Sequence, residues 1–160
     1  MLSFSRFLAA NLTFIGLLLI TPAAQAKCAN ALEAEALDVR VLQSDLMVAA
    51  LACNQQPEYN AFVKKFSGSL SDHGQALRGY FTRIYRGGAE RKINRFITDL
   101  ANDAAQRSLN TPEDEYCETT RSMFQQVDKL MPWQLAKVVE YDATVKRHAV
   151  ERCNGQFAER

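Results

Sequence analysis

The sequence predicts an all-α protein, a single helical bundle of about five helices stabilised by two disulfides. Apolar residues recur at spacings of three, four and seven through most of the chain after residue 26, which is the helical period. Sustained period-2 alternation is missing, as is any Asn-Gly or Asp-Gly hairpin signal, so strands are not expected. All four cysteines, Cys28, Cys53, Cys117 and Cys153, follow a segment that reads as an export signal, which places them where disulfides persist.

That segment, 1–26, has Arg6 near its start, an apolar run from Leu12 to Ile20, and the triplet Ala24-Gln25-Ala26, the pattern of a secretory signal peptide cleaved after Ala26. The run is shorter than the roughly 20 residues that span a bilayer, and no later stretch approaches that length, so no membrane span is expected in the mature chain. Lys27 before Cys28 lacks the small residue that lipid attachment requires. The expected organisation is a signal peptide, 1–26, and one helical domain, 27–160, in the periplasm.

A first helix is expected from Ala31 to Ala52, rich in Ala and Leu. Leu42, Leu46, Val48, Ala49 and Leu51 make its second half apolar around much of its circumference, so it belongs at the centre. Pro57, tolerated in a first helical turn, opens a second helix whose apolar face is Tyr59, Phe62, Val63, Phe66, Leu70, Leu77, Phe81 and Ile84. Gly68, Gly74 and Gly79 are its weak points, and Gly87-Gly88 ends it. A third helix follows from Ala89 to about Arg107, with Ile93, Phe96, Ile97, Leu100, Ala101 and Ala104 on one face. The fourth is announced by Thr111 as N-cap, Pro112 in the first helical position, and Glu113, Asp114 and Glu115 against the helix dipole. It runs through Tyr116, Phe124, Val127 and Leu130 to Pro132. Trp133, Leu135, Ala136, Val139 and Tyr141 lead into a last helix ending near Cys153.

Helix geometry constrains the disulfides. The ends of the first helix are some 30 Å apart at 1.5 Å per residue, so Cys28 cannot pair with Cys53. An up-and-down bundle favours Cys53 with Cys117 and Cys28 with Cys153, with Cys28–Cys117 and Cys53–Cys153 as the open alternative.

The segment LQSDLMVAALACNQQPEYNAFVKKFSGSL, Leu42 to Leu70, together with LANDAAQRSL and the later Tyr116-Cys117, resembles a group of uncharacterised small exported helical proteins of alphaproteobacteria. The resemblance covers about two-thirds of the mature chain. It implies an exported helical domain and brings no activity, cofactor or site residue.

The chain has 19 basic and 18 acidic side chains, a net charge of +1, and removal of 1–26 removes only Arg6. A balance so near zero argues against a nucleic-acid binder. One local concentration stands out: Arg78, Arg83, Arg86, Arg91, Lys92 and Arg95 surround the Gly87-Gly88 turn, with Glu90 the one acid among them. A glycine turn entering a helix offers backbone N–H groups, and arginines grip carboxylates or phosphates bidentately, so these six residues form a candidate anion-binding site. Tyr80 and Tyr85 would add stacking surface. The same residues also suit a solvated face of two helices, self-paired with Glu113, Asp114, Glu115 and Glu118.

Enzyme signatures are weak. The two histidines, His73 and His148, lie in no metal-binding spacing, although His148 and Glu151 would share a face of the last helix. Asp72 and His73 are adjacent and diverge on a helix. Ser67, Ser69 and Ser71 have no evident base, and no nucleophile-elbow motif is present. No catalytic residue, metal ligand or cofactor is assigned, and an enzyme is disfavoured without being ruled out.

Two functional classes remain. The first is an exported, non-catalytic accessory or interaction module that meets a protein partner, or a second copy of itself, through a helical face. The second is a carrier or sensor of a small anion, using the Arg78 to Arg95 region or the bundle interior. Glycines in the second helix would either leave room for such a ligand or let helices pack closely.

Overall fold

The computed structural model describes residues 27–137 and 148–153. The expected signal peptide, 1–26, lies outside them, as do Val139 and Tyr141 of the expected last helix.

Among the described residues the fold holds five α-helices: α1 (Ala31–Ala52), α2 (Gln56–Lys65), α3 (Ser67–Tyr85), α4 (Ala89–Asn110) and α5 (Glu113–Asp128). No strand occurs among the described residues, and the one β-type contact is an isolated parallel bridge between Ala29 and Arg152. No described helix is long and apolar enough to cross a membrane.

The first helix begins with a reciprocal cap. The Asn30 side chain accepts from the Glu33 N–H at 2.9 Å while Glu33 accepts from the Asn30 N–H at 2.9 Å. Its far end closes with Asn54 in the left-handed region, φ 55°, where asparagine is tolerated. The Gln55 N–H then reaches back to the Ala50 carbonyl at 2.9 Å, which satisfies a carbonyl the helix leaves over. Between these caps α1 is buried on most of its circumference, including Ala34, Leu37, Val39, Leu42, Leu46 and Ala49. The expectation of a central helix holds between its end turns, where Leu32 is 61 % and Leu51 67 % exposed.

The other helices wrap this axis in alternating directions. α2 and α3 run back along α1, bringing Arg83 near the end of α3 to Glu33 in the first turn of α1. α4 reverses again, so that Arg107 near its end meets Asp45. α5 descends beside α2, with Cys117 joined to Cys53 near its start and Asp128 paired with Lys65 at its end.

The second expected helix is two. The break falls at Phe66 (φ −101°, ψ 14°) and at none of the three glycines. The Phe66 N–H still bonds to the Phe62 carbonyl at 3.0 Å, and the Leu70 N–H to Phe66 at 2.8 Å, so the bend costs little hydrogen bonding. Its packing consequence is large. Phe62 and Phe66 join Val39, Leu42, Leu46, Phe124 and Val127 in one core cluster, while Leu77, Tyr80 and Phe81 join Leu37, Ala89 and Ile93 in a second. A straight rod would have to leave one of the clusters.

Two further boundaries differ from expectation. Thr111 closes α4 in an extended conformation instead of capping α5, and Pro112, extended at ψ 135°, precedes α5 without a side-chain cap. The three acids do occupy the first turn of α5, where the dipole favours them. At the other turn α3 ends at Tyr85, a 3-10 turn spans Arg86–Gly88, and the positive φ, 47°, falls on Arg86 and on neither glycine.

The disulfides are Cys28–Cys153 and Cys53–Cys117. Residues 148–153 are not helical, contrary to a last helix ending near Cys153. They lie extended beside the start of the chain, the Ala29 N–H donating to the Glu151 carbonyl and the Cys153 N–H to the Ala29 carbonyl, each at 2.9 Å. His148 and Glu151 therefore do not share a helix face. His148 instead turns to α1: its Nδ1 accepts from the Val150 N–H at 3.3 Å, which leaves Nε2–H to donate to Asp38 at 3.0 Å. Arg152 donates to the other Asp38 oxygen, and the Asp38 side chain is only 2 % exposed. A carboxylate so deep in a helix must be answered by donors, and these two also anchor the terminal segment.

Asp38→Asn keeps the volume and removes the charge that both donors meet. We expect it to lower unfolding free energy by about 3 kcal/mol in urea titrations at neutral pH. Arg152→Gln, at a half-exposed side chain, should cost about 1 kcal/mol. Equal small losses would show that the buried carboxylate does not hold the terminal segment.

Candidate functional site

The six basic residues around the Gly87-Gly88 turn do not converge. Arg83 turns inward, its Nε donating to Glu33 at 3.0 Å and an Nη to the Cys28 carbonyl at 2.9 Å, with the guanidinium 5.5 Å from the Tyr80 ring centre. The hydrogen bond to Glu33 raises its pKa above the ordinary arginine value. Beside it, burial pushes the Tyr80 phenol up, and its hydroxyl donates to the Lys27 carbonyl at 3.1 Å. This cluster fastens the start of the chain to α3. Lys92 lies 5.2 Å from the centre of the Tyr85 ring, and Arg86, Arg91 and Arg95 are exposed. Arg78 donates to Glu90 at 3.1 Å, so the acid in the first turn of α4 occupies the position an incoming anion would take. The acids that answer this face are thus Glu33 and Glu90, whereas Glu118 pairs with Arg121 on its own helix. Reversing the charge at Arg83 would break a cap and an ion pair together, so Arg83 is unsuited to probing anion binding.

Arg78 belongs to a second, deeper feature. Between α1, α3 and α4 lies a partly open cavity of about 150 Å³. Its walls are Ala36 and Val39 of α1, Leu70 and Leu77 of α3, and Ile93 and Ile97 of α4; its polar groups are Arg40, Gln43, His73 and Arg78. It occupies the seam between the two core clusters, since Val39 belongs to one and Ala36, Leu77 and Ile93 to the other. Gly74 of α3 lies at its open edge: it is exposed, and a Cβ there would meet nothing within 4 Å. Close helix packing is therefore not the role of Gly74.

The charges around the cavity are unequal. Arg78 has Glu90, and His73 Nε2 lies 2.8 Å from the Glu35 carboxylate. Arg40 has no carboxylate among the described residues: one Nη donates to the neutral Gln43 Oε1 at 2.8 Å, and Nε is buried with no acceptor. Burial lowers the pKa of Arg40 below its ordinary value, the sign of a cation that has lost water without gaining a counter-charge. A guanidinium remains protonated at any physiological pH, so the charge stays and lacks an anion. Gln43, having spent its carbonyl on Arg40, has amide N–H groups left to donate.

Ser69, His73 and Glu35 deserve a chemical test, because Ser69 Oγ lies 3.3 Å from His73 Nδ1 and Glu35 lies on the far side of the ring. Sequence reasoning found no base for Ser69, though the spacing of four on one helix was the available signal. The trio cannot activate a nucleophile. His73 Nδ1 is 2.6 Å from the Ser69 carbonyl, which can only accept, so that nitrogen carries a proton and has no lone pair for the hydroxyl. No group of three or more metal-ligating side chains occurs among the described residues.

Arg40 was not singled out from sequence. It sits in the helix correctly expected to be central, and a charged residue on a helix without a solvent face was the signal. No family model matches the chain, and no curated protein or solved structure matches it.

If Arg40 is held for a ligand, removing it should relieve the empty protein. Arg40→Met keeps length and apolar contact, and we expect unfolding free energy to rise by about 1 kcal/mol without ligand. Gly74→Ala should likewise gain roughly 0.5–1 kcal/mol, because open space receives the methyl and helix propensity improves. Destabilisation by Arg40→Met in urea melts would mark Arg40 as a packing residue instead.

Proposed function

We propose that this protein is an exported, non-catalytic binding protein that carries or senses a small anion in the cavity between α1, α3 and α4. The supporting observation is the Arg40 guanidinium, beside a cavity, which has shed water and has no carboxylate among the described residues. Natural cores avoid such a charge unless something repays its desolvation, and a bound anion does so. Export is supported by the two disulfides and the cysteine-bearing chain that follows the signal-like segment.

A second reading, an accessory module that meets a protein partner or a second copy, draws on the groove of about 500 Å³ between α2 and α5. Phe62, Phe66, Phe124 and Val127 line it, and Glu58, Lys65, Arg121 and Asp128 alternate in sign around it, which suits a mixed-charge amphipathic helix. Leu32 and Leu51, both exposed, stand at opposite ends of α1, about 28 Å apart, so they do not build one continuous patch with each other.

The anion reading is tested by thermal melts of the mature, disulfide-intact protein, dialysed and then given phosphate, acetate or benzoate. At ten times its Kd a bound anion should raise Tm by about 5 °C, and the rise should vanish in Arg40→Met. No shift with any of the three, or an equal shift in the variant, would sink the reading.

A further inference from the structure

The shape and chemistry of the cavity select among anions. Resting on the reading above, we infer that the ligand is a monocarboxylate of about six to nine non-hydrogen atoms with a compact apolar body, such as a benzoate-like or short branched-chain acid.

The inference follows from three features. A cavity of about 150 Å³ is the size that encloses a single six-membered ring, and much smaller than the pockets of drug-sized ligands. About half of its wall is aliphatic, from Val39, Leu70, Leu77, Ile93 and Ile97, so a ligand that is polar on every side would strand some of its oxygens against hydrocarbon. Phosphate and sulfate match the cavity less well on that ground. A carboxylate with an apolar body presents two oxygens at one end and hydrocarbon elsewhere, as the cavity does in reverse.

The donors match the same division. Arg40 supplies the charge, and the Gln43 amide, held in place through its carbonyl, supplies N–H groups beside it. One guanidinium with one neighbouring amide satisfies one carboxylate. A dicarboxylate would need a second cation without a partner, and the other two basic groups of the cavity, His73 and Arg78, already face Glu35 and Glu90. Gly74, exposed on α3 at the edge of the cavity, marks its open side, where a larger residue would stand across the mouth.

Calorimetric titration of the mature, disulfide-intact protein with benzoate, phosphate and benzyl alcohol tests this. Benzoate should bind at least tenfold more tightly than phosphate, which lacks the apolar body, and than benzyl alcohol, which lacks the charge. Arg40→Lys keeps a charge without the planar fork and should weaken benzoate about tenfold, and Gly74→Leu should abolish binding while circular dichroism and Tm show a folded protein. Arg40-dependent binding of phosphate as tight as that of benzoate would overturn the ligand class and leave the anion reading standing. Benzyl alcohol binding as well as benzoate, or benzoate indifferent to both substitutions, would overturn the inference. Failure of every anion would overturn the anion reading as well.

Discussion

A helix without a solvent face governs this fold. Because α1 is wrapped by α2, α3, α4 and α5, each polar side chain along it must find an answer inside the protein. Glu33 finds the Asn30 N–H and Arg83; Asp38 finds His148 and Arg152; Asp45 finds Arg107. These answers come from the start of the chain, α3, α4 and the terminal segment, so the polar groups of one helix specify where distant segments must lie. Hydrophobic burial supplies most of the driving force, but it is non-directional and would tolerate helices sliding or rotating on α1. Paired charges in poorly hydrated surroundings fix the register, since a shifted helix would leave a carboxylate bare.

Against that pattern, the groups left unanswered carry the information. Ser44 Oγ and Arg40 Nε are buried without a partner, both on α1 and one turn apart. A stranded hydroxyl is a modest cost that a fold absorbs, whereas a guanidinium with no counter-charge beside a cavity is a larger one. The exposed basic residues of the 86–95 region have the opposite standing. They are numerous and conspicuous in sequence, yet water screens them, and the arginines just before them that do make ion pairs, Arg83 and Arg78, meet Glu33 and Glu90. Number of charges therefore says less about function than the environment of a single one.

The elements themselves were largely legible. The span of α1, its central position and the helical character follow from periodicity, while the length of a helix excludes Cys28–Cys53 and leaves two pairings, of which the favoured one, Cys53–Cys117 with Cys28–Cys153, is the one found. What sequence could not reveal was set by packing. The bend at Phe66 arises because one helix must serve two core clusters, a demand that no local residue announces, and glycines nearby drew attention without causing it. The extended run at 148–153 follows from Asp38, more than a hundred residues earlier in the chain. Arg40 looked like any other helical arginine until its surroundings were known, while the Arg78 to Arg95 group looked important because it was contiguous.

The cavity and the disulfides bear on each other. Cys28–Cys153 ties the end of the bundle where Leu37, Phe81 and Ile93 cluster, and Cys53–Cys117 ties the end where Phe62 and Phe124 cluster. The seam between those clusters, near the middle of α1, has no covalent tie and lacks a side chain at Gly74. Local opening is cheapest where packing is loosest, so the two cross-links leave the seam, already partly open as a cavity, as the least restrained part of the bundle. The same arrangement explains how a cross-linked, tightly capped helix can hold a guanidinium without a carboxylate among the described residues: the ends supply the stability that the middle gives up.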